Sequence, residues 1–279
     1  MHTDNKILQD KLEKLKVSIK ALGRVIVAYS GGVDSTLLLK VCADTLGAHN
    51  VVGFIGTSPT YPVEEVKEAK KIADYIGVKC IISHTNEMED KRFIANNPNR
   101  CYYCKSHLFD CLWAVAKAEG YHHVLEGSNL DDLKDFRPGR RACEEKNVKS
   151  PLIEAGLTKD DIRELSRILS LPTHSKPSLA CLASRIPYGT PITAQLLRRI
   201  ELSEKAVQAL GIKQVRVRCH NDMARIEVDE KDFIQILQHR KKVVDALKQY
   251  GFLYVTIDLQ GYRTGSMNET MGYKGLLEE

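Results

Sequence analysis

The segment Ser30-Gly31-Gly32-Val33-Asp34-Ser35 places two adjacent glycines, two hydroxyls and a carboxylate within six residues. Glycines let the backbone approach a ligand closely and turn its N–H groups into one concavity; with serine hydroxyls and a following helix N-terminus, such a loop suits phosphate. An ordinary strand-to-helix turn with a serine cap is the plainer alternative. The lysine of a G-x-x-x-x-G-K-[ST] loop is missing. A second centre is Cys101-Tyr102-Tyr103-Cys104, whose thiols stand one helical turn apart and can ligate one metal. No second C-x₂-C pair completes a four-sulfur zinc site, and a thioredoxin-like redox role stays open. Cys181 follows Lys176 and precedes Arg185, cations that favour a thiolate. Arg216 and Arg218 share one face of a strand, because side chains alternate with period two. Their forked guanidinium groups match phosphate, with Glu227 of the next strand to orient them; a solvated pair is the alternative.

The elements that carry these residues follow from periodicity. Leu8, Leu12, Leu15, Ile19 and Leu22 recur at helical spacing before Gly23, which can stop a helix in the left-handed region. A buried strand over 24–29 leads into the glycine loop, followed by a helix over 35–46, a strand over 51–57, a helix over 62–76 and a strand over 80–84. A helix over about 104–119, a strand over 124–128 and a helix after Thr158 complete an α/β domain with a parallel sheet, whose ligands sit at the strands' carboxyl ends. Four prolines between Leu171 and Pro191 mark a loop or linker. Beyond it, a helix over 193–210, strands over 215–220 and 224–228, a helix over 231–250 and a strand over 254–259 make a smaller α+β domain. The expected division is 1–175, an active-site loop over 176–191, and 192–279.

Composition narrows the function. Across 279 residues, 41 basic and 36 acidic side chains give a net charge of only +5, which disfavours a general nucleic-acid binder. Apolar runs such as 51–55 are strand-sized, so no membrane span is expected, and the charged first twenty residues do not read as a secretory signal. Eight cysteines then imply reduced, cytoplasmic thiols, with a metal site open to some of them, rather than a disulfide framework. Cys42, Cys80, Cys111 and Cys219 read as small core filler. Cys143 and the Arg137–Arg141 turn before it stay undecided between solvated and functional, and no histidine stands in a catalytic motif.

The glycine loop resembles in full the SGGVDS loop of the PP-loop ATP pyrophosphatases (adenine nucleotide alpha hydrolase-like fold). Glu126-Gly127-Ser128-Asn129-Leu130-Asp131-Asp132 resembles that superfamily's G-[ST]-N-x-D-D segment. The resemblance implies that ATP is bound by Ser30, Gly31, Gly32, Asp34, Ser35, Thr57, Gly127 and Asp131. Asp34 and Asp131 would assist Mg²⁺, a hard ion that prefers oxygen ligands. SGGVDS, RCYYCK, EGSNLDD, the D-x-R-P-G-R-R-A segment, ACLASRIPYG and the final G-Y-R-x-G-S-M-N-E run occur in this order over nearly the whole chain. Together they are similar to the LarE family of ATP-dependent sulfur transferases, which help build the nickel-pincer nucleotide of lactate racemase.

That resemblance implies a pyridinium dicarboxylate mononucleotide as substrate, adenylylated and then converted to thiocarboxylates. It implies substrate contacts from Ser184, Arg185, Arg216, Arg218 and Glu227. It also implies a homo-oligomer such as a hexamer, without membrane or nucleic-acid partners. Two sulfur strategies belong to the family: a [4Fe-4S] cluster on Cys101, Cys104 and Cys181, or sacrifice of Cys181 itself, leaving dehydroalanine. The presence of all three cysteines favours the cluster. Competing classes are a tRNA thiolase, an amide-forming synthetase of the NAD or GMP type, and a non-enzymatic nucleotide-binding module.

Overall fold

The computed structural model describes residues 2–134, 138–177, 180–263, 266 and 269. The chain divides into two compact units: Met1–Phe93 with Pro98–Leu179, and Ile94–Asn97 with Ala180–Glu279.

In chain order the first unit contains α1 (His2–Lys20), β1 (Val25–Ala28), α2 (Val33–Leu46), β2 (Val51–Thr57), α3 (Val63–Ile76), β3 (Lys79–His84), a single turn α4 (Lys91–Ile94) at its boundary, and α5 (Arg100–Ala118). There follow β4 (His123–Leu125), α6 (Gly139–Glu145), α7 (Pro151–Glu154) and α8 (Lys159–Ile168). The strands form one parallel sheet in the order β3-β2-β1-β4, with Val25 opposite both Val51 and His123. Parallel strands need crossovers and are buried on both faces. Accordingly Val25, Val27 and Ile55 pack in one core with α1, α2 and α8, while Ile26, Val52 and Phe54 pack in another with α5. Sheet growth runs outward from β1 through β2 to β3, then returns to place β4 on the other side of β1. The β1/β4 boundary is therefore a topological switch point, where crevices for ligands open at the carboxyl ends.

The second unit contains α9 (Ala194–Gln208), β5 (Val215–His220), β6 (Met223–Val228), α10 (Phe233–Gln238), α11 (Arg240–Gln249) and β7 (Tyr254–Ile257). Its sheet has the order β5-β6-β7, antiparallel between β5 and β6 and parallel between β6 and β7. Asn96, at positive φ, belongs here and donates from Nδ2 to the carbonyls of Ile186, Pro187 and Thr190. Its place was invisible in the sequence, because the pairing spans ninety positions.

Three elements depart most from expectation. The helix expected over 231–250 is broken at His239, where the Gln235 carbonyl accepts both the His239 N–H and its ring Nδ1. Helix α5 begins at Arg100 rather than Cys104; Tyr102 donates to Glu145 and lies under the Arg141 guanidinium, so contacts with α6 hold a turn that lacks apolar periodicity. Strand β4 ends at Leu125, and Glu126–Ser128 leave the sheet to line the crevice.

Candidate active site

A cavity of about 340 Å³ opens in the first unit at the carboxyl ends of the strands. Ser30, Asp34 and Ser35 line it from the end of β1, and Glu126, Gly127 and Ser128 from the end of β4. This is the crevice that the strand order demands. Helix α2 starts at Val33, inside the glycine loop, and no side chain caps it. Its first-turn N–H groups are thus available to an anion. Gly31 has φ +71°, and a Cβ there would lie 2.6 Å from that of Ala69. A Cβ on Gly127 would lie 3.0 Å from the Ser35 nitrogen. Both positions need glycine so that two backbone segments can close around one volume. The loop hydroxyls stabilise the turn itself: Ser30 Oγ accepts from the Gly32 N–H, and Ser35 Oγ donates to the Gly32 carbonyl, each at 3.3 Å.

The acids divide differently from the sequence expectation. Asp34 Oδ2 meets Lys159 Nζ at 2.5 Å, and its Oδ1 accepts from Asn129 Nδ2 at 3.3 Å. Asp131 Oδ2 accepts from the Lys159 backbone N–H at 2.9 Å, at the start of α8. Asp132, which sequence reasoning passed over, lines the cavity instead. Thr57 donates its hydroxyl to the Ser83 carbonyl, while its neighbours Gly56 and Ser58 line the cavity.

Two further cavity residues were not picked out as site residues in the sequence, although Lys105 closes the RCYYCK motif. Lys105 Nζ stands 3.2 Å from Glu126 Oε2 and 3.7 Å from Cys143 Sγ. Burial alone would pull the Lys105 pKa down, but Glu126 and Cys143 outweigh it and hold it at about 12. Burial likewise opposes charge on Glu126, yet Lys105, Ser150 and Ser128 hold its carboxyl below the usual range. Cys143 is the converse case, its thiol pushed up to about 11 chiefly by burial. The undecided cysteine is therefore a buried neighbour of the cavity lysine. Arg140 and Arg141 of the turn before it are exposed and pair with Glu144 and Glu145; Arg137 lies outside the described residues. The second overlooked residue is Glu87, buried beside Ser58 and Thr60.

Cys101 and Cys104 both fall on the first turns of α5, with Cys101 exposed and Cys104 in the cavity wall. None of the eight cysteines forms a disulfide. Thiols at this spacing fit two ligands of one metal centre. Among the described residues no group of three or more His, Cys, Asp or Glu is gathered to hold a metal.

Cys181 lies in the second unit, half-buried, just before a 3₁₀ turn over Leu182–Arg185. The cations flanking it in sequence are each paired with acids. Lys176, in the first unit, pairs with Glu65 and Glu68. Arg185 grips Glu204 with both Nε and Nη2, at 2.9 and 3.0 Å. Its Nη1 donates to the carbonyls of Ala180 and Cys181 and to Ser184 Oγ. Arg185 therefore shapes the backbone at Cys181.

Arg216 and Arg218 are 7% and 5% exposed, so the pair is not solvated. Arg218 Nη2 donates to Glu227 Oε2 at 2.7 Å and to Ser266 Oγ at 2.9 Å, and its Nη1 to the Ser184 carbonyl at 3.0 Å. Its buried Nε has no partner among the described residues. Burial, reinforced by the neighbouring Arg185 charge, pulls the Arg216 pKa down to about 10. A cation disfavoured in this way is stabilised by an incoming anion. Arg263 pairs with Asp258 and Glu269. Gly265, Met267 and Asn268 of the C-terminal motif lie outside the described residues.

The chain is 43% identical over 267 residues to the uncharacterized protein slr1717 of Synechocystis, covering 95% of this chain and 99% of that one. It is 37% identical over 264 residues to the pyridinium-3,5-bisthiocarboxylic acid mononucleotide synthase of Lactiplantibacillus plantarum, covering 95% and 96%. The chain belongs to the LarE family. Residues 5–97 also match the NAD synthase family, which accounts for the strand, loop and helix around Ser30. A further relative, MJ0830 of Methanocaldococcus jannaschii, is 31% identical over 91% of this chain and 98% of its own length. As a LarE-family protein on a PP-loop fold, the chain is an ATP-dependent sulfurtransferase. Among the described residues no helix is long and apolar enough to cross a membrane.

Proposed function

We propose that this enzyme adenylylates the carboxylates of a pyridinium dicarboxylate mononucleotide with ATP and converts them to thiocarboxylates for a nickel-pincer nucleotide cofactor. The observation that carries this reading is one cavity whose wall combines the uncapped α2 N-terminus, the Lys105 ammonium and the Cys104 thiol. A carboxylate is a poor acyl donor until its oxygen is joined to AMP. The α2 N–H groups and Lys105 would hold the departing pyrophosphate, stabilising charge as it develops. Asp34 and Asp132, which line this cavity, are the oxygen donors proposed to hold Mg²⁺, with Asp131 beside them accepting from the Lys159 N–H. Arg216 and Arg218, oriented by Glu227, would bind the mononucleotide's own phosphate in the second unit, beside Ser184.

Sulfur then replaces AMP at the activated carbonyl. The finer proposal is that Cys101, Cys104 and Cys181 hold a [4Fe-4S] cluster; the C-x₂-C spacing supports two of the three positions. Such a cluster, when bound, would supply an extra sulfide, and three protein ligands would leave one iron open. The enzyme is proposed to act as a cytoplasmic homo-oligomer.

Anaerobically prepared protein, incubated with ATP, Mg²⁺ and the pyridinium dicarboxylate mononucleotide, should release AMP and pyrophosphate and form thiocarboxylate. Cys101→Ala, Cys104→Ala and Cys181→Ala should each abolish sulfur transfer while AMP release persists. Activity in the Cys101 and Cys104 variants, with dehydroalanine at 181 after turnover, would assign the sacrificial strategy instead. No AMP from the wild type would overturn the reading altogether.

A further inference from the structure

Glu87 follows β3 and lines the cavity at 1% exposure. Its Oε1 accepts from the hydroxyls of Ser58 and Thr60, the latter at 3.1 Å. Its Oε2 is equally buried and has no partner among the described residues. An unpaired carboxyl oxygen inside a protein is costly unless something donates to it. Ser58 and Thr60 also bond to each other at 2.8 Å, so the acid is held in place with one oxygen left over.

The position of that oxygen suggests its donor. β3 is separated from β1 by β2, so the end of β3 lies roughly 10 Å along the sheet from the glycine loop, at about 4.8 Å per strand. That is comparable with the distance from the phosphates of a nucleoside triphosphate to its base. Phe54, Ile55, Leu108 and Phe109 line the same cavity and offer apolar surface for a flat ring. A Cβ on Gly56 would meet Leu108 Cδ1 at 2.6 Å, which keeps the floor there closely packed. Adenine carries an exocyclic amine, a donor, where guanine and hypoxanthine carry an oxo group, an acceptor. A carboxyl oxygen can accept from the first and repels the second.

We propose that Glu87 reads the exocyclic amine of adenine and so makes the enzyme select ATP over oxo-purine triphosphates. This rests on the cavity's being the ATP site of the proposed function, and it names the residue responsible for base choice.

The test compares binding of ATP, inosine triphosphate and 2′-deoxy-ATP to the full-length protein by calorimetry, without need of turnover. The wild type should bind ATP on the order of 100-fold more tightly than inosine triphosphate, as expected when a buried carboxyl oxygen loses its donor. In Glu87→Gln the amide can still accept from Ser58 and Thr60 and can offer its NH₂ to an oxo group, so the preference should fall below about tenfold. Equal wild-type binding of ATP and inosine triphosphate would overturn the assignment without any variant, which keeps it decidable should Glu87→Gln fail to fold. An unchanged preference in Glu87→Gln would overturn it too, as would a change confined to the ATP to 2′-deoxy-ATP ratio, which would assign the oxygen to the ribose. Failure of the parent reading looks different: the wild type would bind ATP selectively yet release no AMP with the mononucleotide acid.

Discussion

The two units treat their buried acids differently. In the second, Arg185 and Arg218 are matched by Glu204 and Glu227, and Glu227 is further held by Arg225 and Ser266. In the first, Glu126 and Lys105 satisfy each other at the rim of an open volume, while Glu87 keeps an oxygen without a partner. The first arrangement is a preorganised network whose members depend on one another. The cavity of the first unit instead leaves an acid oxygen unpaired among the described residues. A compensated network should fail through stability when broken, and an open cavity should fail through binding.

The largest effect should come from Glu227→Ala. It would leave Arg218 buried without its carboxylate, at a cost of about 3–5 kcal/mol in chemical denaturation. A loss near zero would show that the second unit tolerates uncompensated charge, and the contrast between the units would disappear.

A smaller, pH-dependent effect belongs to the cavity. Because the folded-state pKa of Glu126 is lowered, its stabilisation is complete above the unfolded value near 4.3 and is lost as pH falls through the folded one. Glu126→Gln should therefore cost on the order of 2 kcal/mol at pH 7 and progressively less below about pH 4. Urea melts across this range would show the two curves converging; parallel curves would remove Glu126 as the group responsible. Lys105 works in the other direction. Its raised pKa contributes fully below the unfolded value near 10.4 and fades as pH rises through about 12.

The smallest effect should be Thr158→Ala. Thr158 and Asp161 form a reciprocal cap on α8, the helix whose first residue, Lys159, contacts both Asp34 and Asp131. Loss of the cap should cost about 1 kcal/mol in thermal or urea unfolding. An accompanying fall in ATP affinity would tie the cap to the cavity's acids, whereas unchanged affinity would confine it to the helix.

Much of this was legible beforehand where chemistry and local geometry coincide. Ser30–Ser35 could be read as a glycine loop between a buried strand and a helix, and it stands between β1 and α2. Strands β2 and β5 appeared at their observed limits, since unbroken apolar runs and strict alternation have one reading. Arg216 and Arg218 were found by period two, though their burial was not, because a strand with charged alternate residues reads equally well as half-solvated. Glu87, Lys105 and Asp132 were missed. Lys105 and Asp132 stand inside RCYYCK and EGSNLDD, yet a motif does not say where a side chain ends, and Glu87 stands in none of the motifs.

What the amino-acid sequence determined by itself was therefore the local physics: which segments alternate, where glycine suits a loop and which thiols stand a turn apart; the PP-loop fold and the LarE family came from the resemblance of its motifs to known ones. Only the tertiary structure decided which of two adjacent aspartates lines the cavity, which arginine bonds the Cys181 carbonyl, and which buried acid has an oxygen without a partner among the described residues. The reason is distance along the chain. Asp34 with Lys159, Ser58 with Glu87, and Lys105 with Glu126 are pairs brought together by sheet order and helix packing, and no local pattern encodes contacts that exist only once separate strands have been laid side by side.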